Sequence, residues 1–247
     1  MTISLTVLGT SGMYATVERA ASGYLLDVDG TKICVDMGAG TWRNLLAEIS
    51  YGEIAGILLS HCHPDHVTDV FQAYHARRYG QPDPMPKIPL WAPAETLERV
   101  LGFLPEMVEA FDLRTIKAGA TMDLAGSSLS FIDMAHPAET VGMRFEQDGK
   151  VLAYSADSGE AADFEALASG ADVFLCEATL QEADEPWEGH LSGAQAGRIG
   201  AAAGVGKMVL THLPPGRDHE VTLSEARGAA SDLKLELAAD GMHIDVV

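Results

Sequence analysis

The sequence predicts an α/β fold, with sheets covered by helices in a single layered domain over residues 1–247. Three observations lead there. Short apolar runs bounded by glycine and polar turns recur along the whole chain. Strand signals outnumber helix signals early and alternate with them later. Hydrophobic residues make up 47% of the chain, an ordinary globular share without the bias that marks disorder.

Ile3 to Leu8 reads as an opening strand that stops at Gly9-Thr10-Ser11-Gly12. Tyr24 to Val28 and Lys32 to Val35 form a hairpin, because Asp29-Gly30 between them is a favoured turn pair. Trp42 to Ile49 is helical, and a strand follows at Gly56 to Leu59. Val70 to Tyr79 and Ala94 to Leu104 carry helical spacing of apolar residues. Between them Pro82, Pro84, Pro86 and Pro89 make an extended surface excursion around a short strand at Leu90-Trp91.

A second half begins near Ser128. Strands are expected at Leu129 to Met134, Val141 to Glu146 and Val151 to Tyr154, the last two joined by Gln147-Asp148-Gly149-Lys150. A helix from Ala161 to Ala168 precedes the strand Val173 to Cys176, and one from Ser192 to Ala203 precedes Met208 to Leu210. One more helix and two short strands close the chain.

Charge narrows the partners. With 36 acidic and 16 basic residues the net charge is −20, so a nucleic-acid polymer or an anionic membrane is repelled. Three cysteines, an odd number without paired spacing, read as reduced thiols. No signal-peptide pattern opens the chain, and no run approaches the roughly 18 apolar residues of a membrane span. A cytoplasmic setting is expected.

The chemistry lies at strand ends. "GILLSH" ends at His61, "SFIDMAHP" brings His136, "VLAYSAD" ends at Asp157 and "KMVLTH" ends at His212. Carboxyl ends of strands are where α/β folds build ligand sites. "ILLSH" and "MVLTH" echo each other, as βα units in two halves would. The turn "SHCHPDH" adds three histidines and an aspartate in seven residues. Residues i and i+2 of an extended turn share a face, so His61 and His63 can hold one ion, while Asp65 and His66 open the next helix toward another. Imidazole and carboxylate together suit zinc first, with manganese, iron or cobalt as alternatives. The expected set is His61, His63 and His136 on one divalent ion, Asp65, His66 and His212 on a second, and Asp157 between them. Two such ions acidify a bridging water and polarise a scissile P–O or C=O group, as in two-metal hydrolases.

"HCHPDH" resembles the H-x-H-x-D-H signature of the metallo-β-lactamase superfamily, which implies a four-layer αββα sandwich and a hydrolase. "AHPAETVGMRFE", "AYSADSGE", "LCEATL" and "GHLSG" through "MVLTHLPPG" resemble its ribonuclease Z-like branch. The likeness is nearest to short bacterial, actinobacterial members regarded as cyclic-nucleotide phosphodiesterases. It implies Asp65, Glu177 and His190 as catalytic residues. Glu177 of "CEAT" would be hydrogen-bonded to His190 of "GHLSG", raising its pKa as suits a general acid. It also implies a small phosphodiester substrate and a homodimer.

Two departures stand out. Ala156 precedes Asp157 where many relatives have glycine, which is expected to reshape the turn little. Only a few residues link Phe145 to Val151, where transfer-RNA-processing members carry a long basic arm. The alternatives are a lactonase, a thioesterase, a β-lactamase or a ribonuclease Z-like RNA 3′-end nuclease, and, outside catalysis, a metal-binding module.

Other residues read as ordinary. "LGTSG" lacks the Lys-Ser/Thr of a P-loop and is a turn near the metals. Cys62 should alternate away from them. His75, His219 and His243 are expected at the surface, and Arg144 and Arg217 in surface pairs. "QEADEPWEG" is an acidic loop in which Trp187 is placed to close over a flat group.

Overall fold

The computed structural model describes residues 2–80 and 85–246. Pro82 and Pro84 of the expected excursion therefore lie outside the described residues. The first half runs β1 (Ile3–Gly9), β2 (Gly23–Val28), β3 (Thr31–Met37), α1 (Thr41–Glu48), β4 (Ile54–Leu58), α2 (Pro64–Val67), α3 (Val70–Tyr79), β5 (Ile88–Ala92), α4 (Ala94–Phe103) and β6 (Phe111–Thr115). The second half runs β7 (Thr121–Leu124), β8 (Ser127–Asp133), β9 (Val141–Gln147), β10 (Lys150–Tyr154), α5 (Phe164–Ala168), β11 (Val173–Glu177), α6 (Gly193–Ala202), β12 (Lys207–Thr211), α7 (His219–Ala229), β13 (Lys234–Leu237) and β14 (His243–Val246).

The strands form two seven-stranded sheets, ordered β14-β1-β2-β3-β4-β5-β6 and β13-β12-β11-β10-β9-β8-β7. Alternation along each strand explains the layering. On β11, Val173 and Leu175 enter the core between the sheets, where they meet Leu5, Tyr24, Leu26 and Val35. Phe174 and Cys176 point the other way, into a layer with Phe164 and Leu167 of α5 and Leu223 of α7. On the far sheet, Leu25, Cys34 and Ile57 face Leu45 of α1 and Val70 and Tyr74 of α3. Strands buried on both faces read as unbroken apolar runs, which is why they were visible in the sequence. Each fully buried large side chain contributes roughly 1.5–3 kcal/mol over an exposed one. The result is the αββα sandwich.

Two features depart from expectation. The helix expected from Ala161 starts at Phe164, because the Asp163 side chain accepts from the Ala166 amide and caps it there. Strands β6 and β7 carry little apolar signal, since only Phe111 and Leu124 in them are buried.

Both expected hairpin turns form. Asp29-Gly30 and Asp148-Gly149 each place two successive residues at positive φ, the geometry of a tight two-residue turn. β1, β3 and β4 of one sheet run parallel, as do β8, β10, β11 and β12 of the other. Their carboxyl ends gather at one end of the sandwich, and the echoing "ILLSH" and "MVLTH" lie in opposite sheets. Among the described residues no helix is long and apolar enough to cross a membrane.

Candidate metal centre

After β4, Ser60 leads into the histidine turn, and His63 occupies the N-cap position of α2 with Pro64 at its first residue. Proline there pre-sets the helical φ and fixes where Asp65 and His66 emerge. His61 and His66 are fully buried. Cys62 is buried outside the donor cluster, beside Glu95 of α4, as alternation requires.

The expected donors come together in two groups. His61, His63, His136 and Asp157 offer donor atoms within 4.8 Å of one another, as do Asp65, His66 and His212. His63 Nδ1 lies 3.1 Å from Nε2 of both His61 and His136. Asp157 Oδ2 stands 3.6 Å from His61 and 3.9 Å from His136. On the other side His212 Nε2 is 3.2 Å from Asp65 Oδ2 and 3.4 Å from Asp157 Oδ2. His66 Nε2 is 3.2 Å from Asp157 Oδ1. The Asp157 carboxylate thus touches both groups. Four ligands around a tetrahedral cation with bonds near 2.1 Å stand roughly 3.4 Å apart, so the spacing fits cations. His66 Nε2 and Asp157 Oδ1 are buried without a hydrogen-bond partner, which a cation between them would resolve.

The tautomers support the same reading. His66 Nδ1 is 2.8 Å from Asp36 Oδ2, and His136 Nδ1 is 2.8 Å from the carbonyl oxygen of Gly189. Ser60 donates its hydroxyl hydrogen to Asp36, so its lone pair accepts from His61 Nδ1 at 3.0 Å. Thr179 donates to Glu177 and accepts from His212 Nδ1 at 2.7 Å. With Nδ1–H engaged in each ring, all four Nε2 lone pairs are left for the centre. A cation between facing lone pairs removes the repulsion that 3.1 Å spacing would bring.

Proton affinities follow this crowding. Burial holds His61 well below the ordinary histidine value, reinforced by neighbouring His66. His66 is held well above it: burial lowers it, and Asp157 and Asp36 outweigh the burial. Burial raises Asp157, yet the surrounding His212, His66 and His61 keep its carboxyl well below the usual range. Protons and cations compete for such donors, so binding a cation releases protons.

Asp36 is the buried carboxylate that sequence reasoning missed, along with the Ser60 and Thr179 hydroxyls. It is fully buried at the end of β3 and accepts from the Ser60 amide and hydroxyl, both at 2.7 Å, and from Tyr154 at 2.8 Å, besides His66. A lone acid ending the apolar run "KICVDMG" was its signal.

Glu177 and His190 pair as expected, with Oε1 2.6 Å from Nδ1. Burial lowers His190, but the Glu177 charge and hydrogen bond outweigh it and raise its pKa. The "LGTSG" loop also closes on the centre. The Met13 amide donates to Asp65 Oδ2 at 2.6 Å, and a Cβ on Gly12 would lie 2.8 Å from His212 Nδ1, so only glycine fits.

Ala156 corrects an expectation. Its φ is 51°, in the left-handed region that costs a non-glycine residue roughly 1–2 kcal/mol, so the turn does need a positive φ. Met13, Asp36 and His212 share this conformation, so backbone strain gathers around the centre.

His75 and His243 are exposed, and His219 is half-buried against the carbonyl of Pro214. Arg144 pairs with Glu146 and Arg217 with Asp184, as surface pairs. A cavity of about 1010 Å³ opens beside the centre, with His136, His190 and Trp187 in its lining.

Residues 32–213 match the family model described as the β-lactamase superfamily domain. An uncharacterized protein of Mycobacterium leprae is 35% identical over all of this chain and 89% of its own. A ribonuclease Z of Kineococcus radiotolerans is 30% identical over 98% of this chain and 94% of its own. The crystal structure of the metallo-β-lactamase fold protein YhfI of Bacillus subtilis superposes with a TM-score of 0.90, at 23% identity over 99% of each chain. With its sandwich and its histidine–aspartate cluster able to bind metal ions, the chain belongs to the β-lactamase superfamily as a metallo-hydrolase of the metallo-β-lactamase fold.

Proposed function

We propose that this metallo-hydrolase is a two-metal phosphodiesterase acting on a small phosphodiester, with a 3′,5′-cyclic nucleotide as the first substrate to test. The observation that carries it is the Glu177–His190 pair, 2.6 Å apart, beside the donor groups and in the lining of the cavity. A lactonase or thioesterase has less use for such a proton donor.

In this reading His61, His63 and His136 hold one divalent cation, Asp65, His66 and His212 hold the other, and Asp157 lies between. Zinc is the first choice for these donors, with manganese, iron or cobalt as alternatives. Such cations supply Lewis acidity toward a phosphoryl oxygen and acidify water. The chain's own residues do the rest. Glu177 fixes the ring of His190 through Nδ1, leaving its other nitrogen to deliver a proton to the leaving oxygen. Five hydrogen bonds hold Glu177 for that task, from His190, the amides of Ser158, Thr179 and Leu191, and the Thr179 hydroxyl.

A ribonuclease Z-like activity is the second reading, favoured by the Kineococcus relative. That alignment runs over 301 positions, more than the 247 residues of this chain, so the relative carries segments without a counterpart here. The tight Asp148-Gly149 turn between β9 and β10 leaves no arm where such enzymes carry one, and a charge of −20 repels RNA. The small substrate is therefore preferred. The three free cysteines, all buried, support a cytoplasmic setting, and a homodimer remains part of this reading.

His190→Ala should lower kcat about 100- to 10,000-fold with unchanged metal content, the range for a lost general acid. Equal activity would remove that role. A panel of cyclic AMP, cyclic GMP, 2′,3′-cyclic nucleotides, bis(p-nitrophenyl) phosphate, a simple lactone and precursor transfer RNA tests the class. Cleavage of the transfer RNA alone would overturn the reading.

A further inference from the structure

We propose that the cavity beside the centre is a base-binding subsite in which Trp187 stacks on a nucleobase-sized ring, and that its acidic rim restricts the enzyme to substrates with one phosphate. The proposal rests on the phosphodiesterase reading, which it deepens.

Trp187 is the most exposed of the three tryptophans, with 48% of its surface open, whereas Trp91 is buried and Trp42 half-buried. Its indole is nevertheless held in place. The ring lies on the backbone of Gly189, where a Cβ would come within 2.8 Å of it. It meets His190 edge-on at 4.8 Å between centroids and His136 at 5.9 Å. The loop beneath is fastened through Gly159, where a Cβ would stand 1.8 Å from the Glu188 carbonyl oxygen. A bare, fixed aromatic face in a cavity wall, next to the proton donor, is a stacking platform for the leaving group. At about 1010 Å³ the cavity has room for a nucleoside.

Charge sets the second half of the selectivity. Glu160, Glu182, Asp184 and Glu188 line the cavity, and among the described residues Arg198 is its one arginine or lysine. Arg198 stands 3.6 Å from Glu160, in an exposed pair. Asp184 is held by Arg217 at 2.6 Å, which leaves Glu182 and Glu188 as the rim carboxylates outside any ion pair among the described residues, and a second phosphate, whether a 5′-phosphate or the next link of a polynucleotide, would meet them.

The test uses the metal-loaded full chain with cyclic AMP and with the base-free ribose 3′,5′-cyclic phosphate. Trp187→Ala should raise KM for cyclic AMP about tenfold, at the scale of a lost base–aromatic stack, with kcat within about twofold. KM for the base-free ester should not change, and Trp187→Phe should restore most of the loss. Calorimetric binding of adenosine, which needs no turnover, should weaken about tenfold in Trp187→Ala. Equal KM increases on both esters, or adenosine binding indifferent to Trp187, would overturn the subsite. The rim is tested with the dinucleotide pApA, which should compete more weakly than 5′-AMP and gain in Glu182→Gln/Glu188→Gln. Equal competition by the two in the parent protein would overturn that half. If no phosphodiester is hydrolysed the activity reading fails, and the adenosine measurement still decides the subsite.

Discussion

Asp36 on β3 of one sheet and Glu177 at the end of β11 of the other can be compared bond for bond. Both are fully buried carboxylates. Each takes one imidazole directly, His66 for Asp36 and His190 for Glu177. Each reaches a second imidazole through a hydroxyl, His61 through Ser60 and His212 through Thr179. The difference lies in where the direct partner points. His66 is sealed among the donors, while His190 lines the cavity. In the proposed mechanism the same wiring therefore produces a fixed metal donor on one side and a proton carrier on the other.

Substitutions can break that parallel. The largest effect is expected from Asp36→Asn, which puts an NH₂ group among donors that need an acceptor. It should lower stability by about 3 kcal/mol and cut bound metal, read by chemical denaturation and elemental analysis. Glu177→Gln sharpens the contrast. Turnover should fall about 100-fold while bound metal drops far less than in Asp36→Asn, as measured on the same preparations. Equal metal loss in both variants would show that the two carboxylates share one role. The smallest effect is expected from Ala156→Gly. Relief of the positive φ, roughly 1 kcal/mol, is offset by about 0.8 kcal/mol for a lost buried methyl, so the melting temperature should shift little.

Much of this was legible in the sequence for physical reasons. Strands buried on both faces leave apolar runs, and polar groups ending such runs mark strand ends, so His61, His136, Asp157 and His212 could be read from position alone. Glu177 and His190 needed the resemblance, because a glutamate and a histidine 13 residues apart have no spacing that predicts a contact. Asp36, Ser60 and Thr179 stayed hidden for the same reason: hydrogen bonds that orient a ring depend on tertiary neighbours. Ala156 shows the limit differently. Side-chain type suggested a tolerant position, whereas the backbone there demands what glycine gives freely. Strands β6 and β7, mostly exposed, carried too little periodicity to be seen.

Tyr24 and Tyr154 pack edge-to-face with ring centroids 5.1 Å apart in the core between the sheets. Tyr154 of one sheet donates to Asp36 of the other, and Tyr24 bonds back to the Thr211 hydroxyl at 2.8 Å. Apolar packing is non-directional and leaves two layers free to slide slightly. This reciprocal latch removes that freedom at the end where it matters. Since each group draws donors from both layers, the spacing within each group is a gauge of their alignment. A remote substitution that lets the layers slip would register first as weaker metal retention, long before the chain loses its fold.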